Sequence, residues 1–160
     1  MLGLGSAKPL IGQAVDVVNS PIARIYDFVG NCFFDNYPRW CPQVVELEML
    51  SEPPIHSGTI GRQVTRDRGI DSESTFVVTH FAAPQRMEIM GKSEPFRTAY
   101  EFAMETETST RLAFTFELKE LDLVMRPFQK LIRIALEEGA VQTVENIKQL
   151  LEGGELQATG

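Results

Sequence analysis

Two hydrophobic periods divide the chain. Over 13–19 the apolar positions alternate and are β-branched (Val15, Val17, Val18), the pattern of a strand. Asn19-Ser20-Pro21 follows, with Ser20 placed as an N-cap and Pro21 at the first helical position. Ile22, Ile25, Tyr26 and Val29 then recur at helical spacing until Gly30-Asn31 stops them. A second short helix is expected over 33–37, closed by Pro38 and Pro42 on either side of Arg39-Trp40-Cys41. From 43 to 119 the period becomes two. Val45, Leu47 and Met49 oppose Glu46 and Glu48; strands follow over 59–66 and 74–81; Met87 and Ile89 oppose Glu88. The clearest alternation comes last, with Phe96, Thr98, Tyr100, Phe102 and Met104 on one face, then Leu112, Phe114, Phe116 and Leu118.

Strands of this kind have one buried and one wet face, which implies an antiparallel sheet joined by hairpins. The final element is helical: over 127–152 Phe128, Leu131, Ile132, Ala135, Leu136, Ala140, Val141, Val144, Ile147 and Leu151 form an apolar stripe, ended by Gly153-Gly154. Those 26 residues span about 39 Å, enough to cross a sheet of ten-residue strands about 34 Å long. The expected fold is α+β: a curved antiparallel sheet of about seven strands, two short helices after the first, wrapped around a long C-terminal helix. One domain is expected over 12–152, with tails at 1–11 and 153–160.

Composition narrows the function classes. The 160 residues hold 15 Lys or Arg and 22 Asp or Glu, a net charge of −7, which argues against a general nucleic-acid binder. No apolar run reaches the ~20 residues of a membrane span. Lys8 follows rather than precedes the early apolar residues, unlike a secretory leader, so a cytoplasmic location is expected. Cys32 and Cys41 lack CxxC spacing and are read as free thiols, a single bridge between them remaining geometrically open. With only His56 and His80, no two-histidine metal motif exists, and neither a metal nor a cofactor is expected. Gly91-Lys92-Ser93 fails as a phosphate loop because Arg86 stands where its first glycine belongs. Phenylalanine is the unusual component of the composition: ten, against one Trp and three Tyr.

The stretches Asn19-Ser-Pro-Ile-Ala-Arg-Ile-Tyr-Asp27 and Tyr37-Pro-Arg-Trp-Cys-Pro42, with Gly58-Thr59, Val78-Thr-His-Phe-Ala-Ala-Pro84 and Met125-Arg-Pro-Phe128 in that order, resemble the polyketide cyclase/dehydrase and lipid-transport superfamily. This superfamily (SRPBCC) contains the START-like and Bet v 1-like proteins. The resemblance covers about 12–152 and implies the helix-grip fold. It spans carriers, quinone-binding proteins, cyclases and chaperone activators, so it implies an internal ligand site more than any one reaction.

A sheet curled around one helix leaves space inside. A pocket of about 500 Å³, left void, would cost on the order of 10 kcal/mol, so water, ligand or large side chains must occupy it. The candidate lining is Tyr37, Trp40, Val64, Met87, Ile89, Tyr100, Phe102, Met104, Phe114, Phe116, Phe128 and Ile132. Tyr37 and Trp40 offer rings with polar tips at the mouth. Arg62, Arg66 and His80 are the weak catalytic candidates: the arginines share parity on one strand and are expected outward, and His80 shares parity with Phe76 and Val78. The favoured function is binding or transport of a small hydrophobic molecule (a lipid, isoprenoid or quinone, or polyketide-like aromatic) by a monomer or homodimer without stable membrane insertion. The alternatives are an aromatic cyclase/dehydratase using the same cavity, and a protein-interaction module whose cavity phenylalanine fills.

Overall fold

The computed structural model describes residues 9–153; the tail sequences beyond them, which include most of the expected tails, lie outside the described residues. Seven antiparallel strands form one sheet in the order β1-β7-β6-β5-β4-β3-β2. They are β1 (Leu10–Val18), β2 (Val44–Met49), β3 (Ile60–Asp67), β4 (Ile70–Ala82), β5 (Arg86–Gly91), β6 (Phe96–Thr106) and β7 (Ser109–Leu118). Every neighbouring pair except β1–β7 is adjacent in sequence. The β3–β4 turn is a two-residue hairpin: Arg68 and Gly69 have φ of 54° and 80°, the left-handed geometry such a turn needs.

Helices α1 (Ile22–Tyr26) and α2 (Phe33–Trp40), joined by a π-helical turn at Asp27–Asn31, carry the chain between the two sheet edges. A 3-10 turn at Leu123–Phe128 leads into α3 (Gln129–Glu152), which grips the sheet along β1. The two run parallel. A Cβ on Gly12 would lie 2.2 Å from the Leu136 carbonyl oxygen, so only glycine allows this approach. Farther along, Lys148 Nζ donates to the Val17 carbonyl at 2.7 Å and the Asn19 N–H donates to Glu152 Oε2 at 2.8 Å.

The core has a densely aromatic half beneath α1 and α2. Phe33 stacks on Tyr37 at 4.6 Å between centroids and meets Phe76 edge-on at 6.1 Å, while Tyr26 meets Phe102 at 5.4 Å. This packing explains why α2 runs through Pro38 to Trp40 instead of ending at the proline: burial of Tyr37 and Trp40 outweighs the missing N–H. Ser20 does not cap α1; Pro21 occupies the cap position, and the Ser20 hydroxyl is buried without a partner among the described residues.

Two bulges move side chains from their expected faces. One between Val44 and Glu46 puts Val44 into the core and turns Val45 outward. The other, between Val78 and His80, sets both Thr79 and His80 against Glu88, so His80 leaves the parity of Phe76 and Val78 and faces outward. The helical stripe also divides. Ala140, Val144, Ile147 and Leu151 are buried, whereas Leu131 and Val141, which turn away from that face of the helix, are exposed.

Candidate functional site

Between the aromatic half of the core and α3 lies a pocket of about 250 Å³. β6 and β7 present Thr98, Tyr100, Phe114 and Phe116; α2 and the following loop present Tyr37, Trp40, Cys41 and Gln43; α3 closes it with Ala135, Leu136, Gly139, Ala140 and Thr143. Small residues on α3 leave the space that large ones would fill. Open to solvent on one side, it is a place for water or ligand.

The polar groups on this apolar wall are few and uncharged. Trp40 Nε1 donates to the Tyr100 hydroxyl at 3.2 Å, which leaves the phenol proton free to donate. Burial pushes the Tyr100 phenol far above its ordinary range, outweighing the indole bond. Burial likewise raises the Tyr37 phenol and the Cys41 thiol; each is the other's hydrogen-bonding neighbour. All three are therefore neutral at pH 7. Thr98, on the inner face opposite Phe116 and Ile89, is 4% exposed, and its hydroxyl oxygen has no hydrogen-bond partner among the described residues. A buried hydroxyl in that state costs about 1–3 kcal/mol until something bonds to it.

Of the residues singled out from the sequence, Tyr37, Trp40, Tyr100, Phe114 and Phe116 come together around this pocket. Met87, Ile89 and Phe102 sit instead in the packed core. Val64 is on the outer parity of β3, between Arg62 and Arg66, opposite Glu73. Met104 keeps the parity of Phe102 but lies past the helices and is 63% exposed; Phe128 is 50% exposed on the 3-10 turn, and Ile132 is half-buried at the start of α3. The catalytic candidates are all outside. Arg62 is held by Glu73 at 2.5 Å and Glu46 at 3.3 Å, Arg66 by Asp71 at 2.7 Å, and His80 Nδ1 by Glu88 Oε1 at 2.6 Å. Sequence reasoning passed over Thr98, Cys41 and the small residues of α3. The signal for Thr98 was present: it is the one small polar side chain in a row whose other members are Phe96, Tyr100, Phe102 and Met104.

The outer face carries its own buried network. Glu88 accepts from Thr79 at 2.8 Å, from Arg86 at 3.0 Å, and from His80 and Arg97. Burial alone would raise the Glu88 carboxyl, but these donors overcome it and hold the group at about 2. A wider groove of about 630 Å³ beside Pro84, Phe102 and Met104 is open to solvent and rimmed by Glu101 and Arg111.

A family model described as "Polyketide cyclase / dehydrase and lipid transport" matches residues 13–152. The chain belongs to that family. Its fold is the helix grip of the START/Bet v 1 superfamily. The Zhui aromatase/cyclase from Streptomyces sp. R1128 superposes with a TM-score of 0.72 at 12% identity, over 90% of this chain and 94% of that one. A START superfamily protein from Mycobacterium smegmatis gives 0.67 at 18% identity, over 93% and 99%. A protein of Thermus thermophilus, TTHA0849, gives 0.71 at 15% identity, over 90% and 98%. No curated protein matches. Family membership supports a ligand-binding or cyclase role, and no helix among the described residues is long and apolar enough to cross a membrane.

Proposed function

We propose that this family member binds a small, neutral, hydrophobic molecule carrying one hydrogen-bonding group, such as a quinone or a phenol of one or two rings. The observation that carries this reading is the Thr98 hydroxyl, unpartnered among the described residues, beside the Tyr100 phenol on a largely apolar wall with no charged side chain. A ligand carbonyl would accept from both, and the rings of Phe114 and Phe116 would supply apolar contact. Size limits the ligand: 250 Å³ is about eight water volumes, below the range of drug-sized sites. Charge limits it too, because no cation lines the pocket to offset a buried carboxylate.

Cyclisation is the second reading, favoured by the likeness to the Zhui aromatase/cyclase. The pocket then would act by shape and orientation. Its phenols and thiol are all shifted away from neutrality, which leaves no group poised for general acid–base work.

Trp40 is the only tryptophan and lines the pocket, so its emission reports occupancy. Titration with menadione, a two-ring quinone, should quench it saturably, and 2-methylnaphthalene, which lacks carbonyls, should bind about tenfold more weakly. Saturable binding without a carbonyl preference removes the anchoring role of Thr98 and Tyr100. No saturable change with either probe removes the binding reading.

A further inference from the structure

The segment 123–134 has a surface unlike the rest of the molecule. Leu123, Val124, Met125, Phe128, Leu131 and Ile134 are each at least 40% exposed, and the first two reach 67% and 74%. Exposed apolar residues scattered singly need no explanation, but half of a twelve-residue segment does. On α3 the direction is wrong for a core: at 100° per residue Leu131 lies opposite Ala140 and Ile147, the residues that pack on the sheet. Charge singles out the same segment. It contains Arg126, Lys130 and Arg133 and no carboxylate, in a chain of net charge −7; Glu120 and Asp122 stand before it and Glu137 after it. Lys130 and Arg133 are exposed and make no ion pair among the described residues, whereas Arg62, Arg66, Arg86, Arg97 and Arg111 are all paired with carboxylates.

We propose that 123–134 docks onto the surface of an anionic lipid bilayer. Exposed leucine, valine and phenylalanine beside unpaired lysine and arginine are the two terms of interfacial binding: apolar side chains enter the headgroup boundary and cations face lipid phosphates. A second copy fits less well, since a two-fold contact through this segment would set its cations against their own equivalents. Docking is peripheral, through side chains on a 3-10 turn and the first turns of α3, with no spanning element. It would also set the pocket close to lipid, because Ala135 and Leu136 on its wall follow Ile134 directly.

The test is co-sedimentation of the full chain with vesicles of phosphatidylcholine, alone or with about one third phosphatidylglycerol. Binding should need the anionic lipid and weaken with salt. Lys130→Glu with Arg133→Glu should lower partitioning about tenfold or more, and Phe128→Ser with Leu131→Ser should do the same. Thermal melts and menadione quenching of Trp40, made on the same variants, show that fold and pocket survive, so a failure of docking is separable from a failure of the pocket reading. Absence of wild-type sedimentation, equal binding to both vesicle types, or equal binding by wild type and variants overturns the proposal. A wild-type dimer that both double variants convert to monomer overturns it as well, assigning the surface to a second copy.

Discussion

The Trp40 indole donates to the Tyr100 hydroxyl at 3.2 Å, and both side chains are 1% exposed. This bond ties α2 to β6 across the interior and occupies the Tyr100 oxygen as acceptor. Tyr100→Phe keeps the ring and removes the acceptor, leaving a buried indole N–H unpaired. Loss of about 1–3 kcal/mol is expected in urea unfolding, together with weaker menadione binding. An unchanged midpoint would mean that water replaces the hydroxyl.

Thr98→Val should separate stability from binding. Valine is nearly isosteric and removes a hydroxyl that has no partner, so the ligand-free protein should gain about 1 kcal/mol or stay level. Menadione affinity should fall about tenfold while 2-methylnaphthalene is unaffected. If Thr98→Val destabilises the free protein, the hydroxyl is satisfied by ordered water and is structural.

What was legible in the sequence follows from the same geometry. Alternation fixes sheet faces wherever strands are unbroken, which is why Tyr100, Phe114 and Phe116 were found from sequence alone. A bulge adds one residue and inverts parity from there on, and neither Val44-Val45 nor Thr79-His80 looks different from regular strand. Val64 failed for a related reason: it shares the arginines' parity, and its apolar side chain suggested the inner face. The expected stripe on α3 merged two faces: Leu131 lies opposite Ala140 and Ile147, and spacing alone does not say which face meets the sheet. The pocket itself is absence of volume at Ala135, Gly139 and Ala140, which a search for large apolar residues overlooks.

Gly12→Ala tests the grip directly. Its Cβ would meet the Leu136 carbonyl at 2.2 Å and the Glu137 nitrogen at 2.7 Å, both backbone atoms within a helix. The strand and helix must separate, and overpacking of this kind costs about 1–3 kcal/mol or more. Leu136 also lines the pocket, so menadione affinity should change with stability. A neutral substitution would mean that α3 slides freely along β1.

His80→Ala and Arg62→Ala should leave pocket occupancy as in the wild type. Both side chains lie on the outer face, His80 hydrogen-bonded to Glu88 and Arg62 paired with Glu73, so neither substitution should reach the interior. A loss of menadione quenching in either variant would require the outer face to communicate with the pocket.

Glu88 gives the fold an acid limit. Its folded-state value of about 2 lies below the ordinary 4.5, so its contribution is fully present above the unfolded value and disappears as pH falls through the folded one. Melting temperature should therefore drop between about pH 5 and pH 2. Glu88→Gln removes the charge that Arg86 and Arg97 share and should cost about 3 kcal/mol at neutral pH. That variant should then lose less on acidification than the wild type, since the titrating group is gone. Parallel acid profiles for wild type and Glu88→Gln would assign the acid limit to other carboxylates, such as Asp71, which its bond to Arg66 holds below the ordinary range.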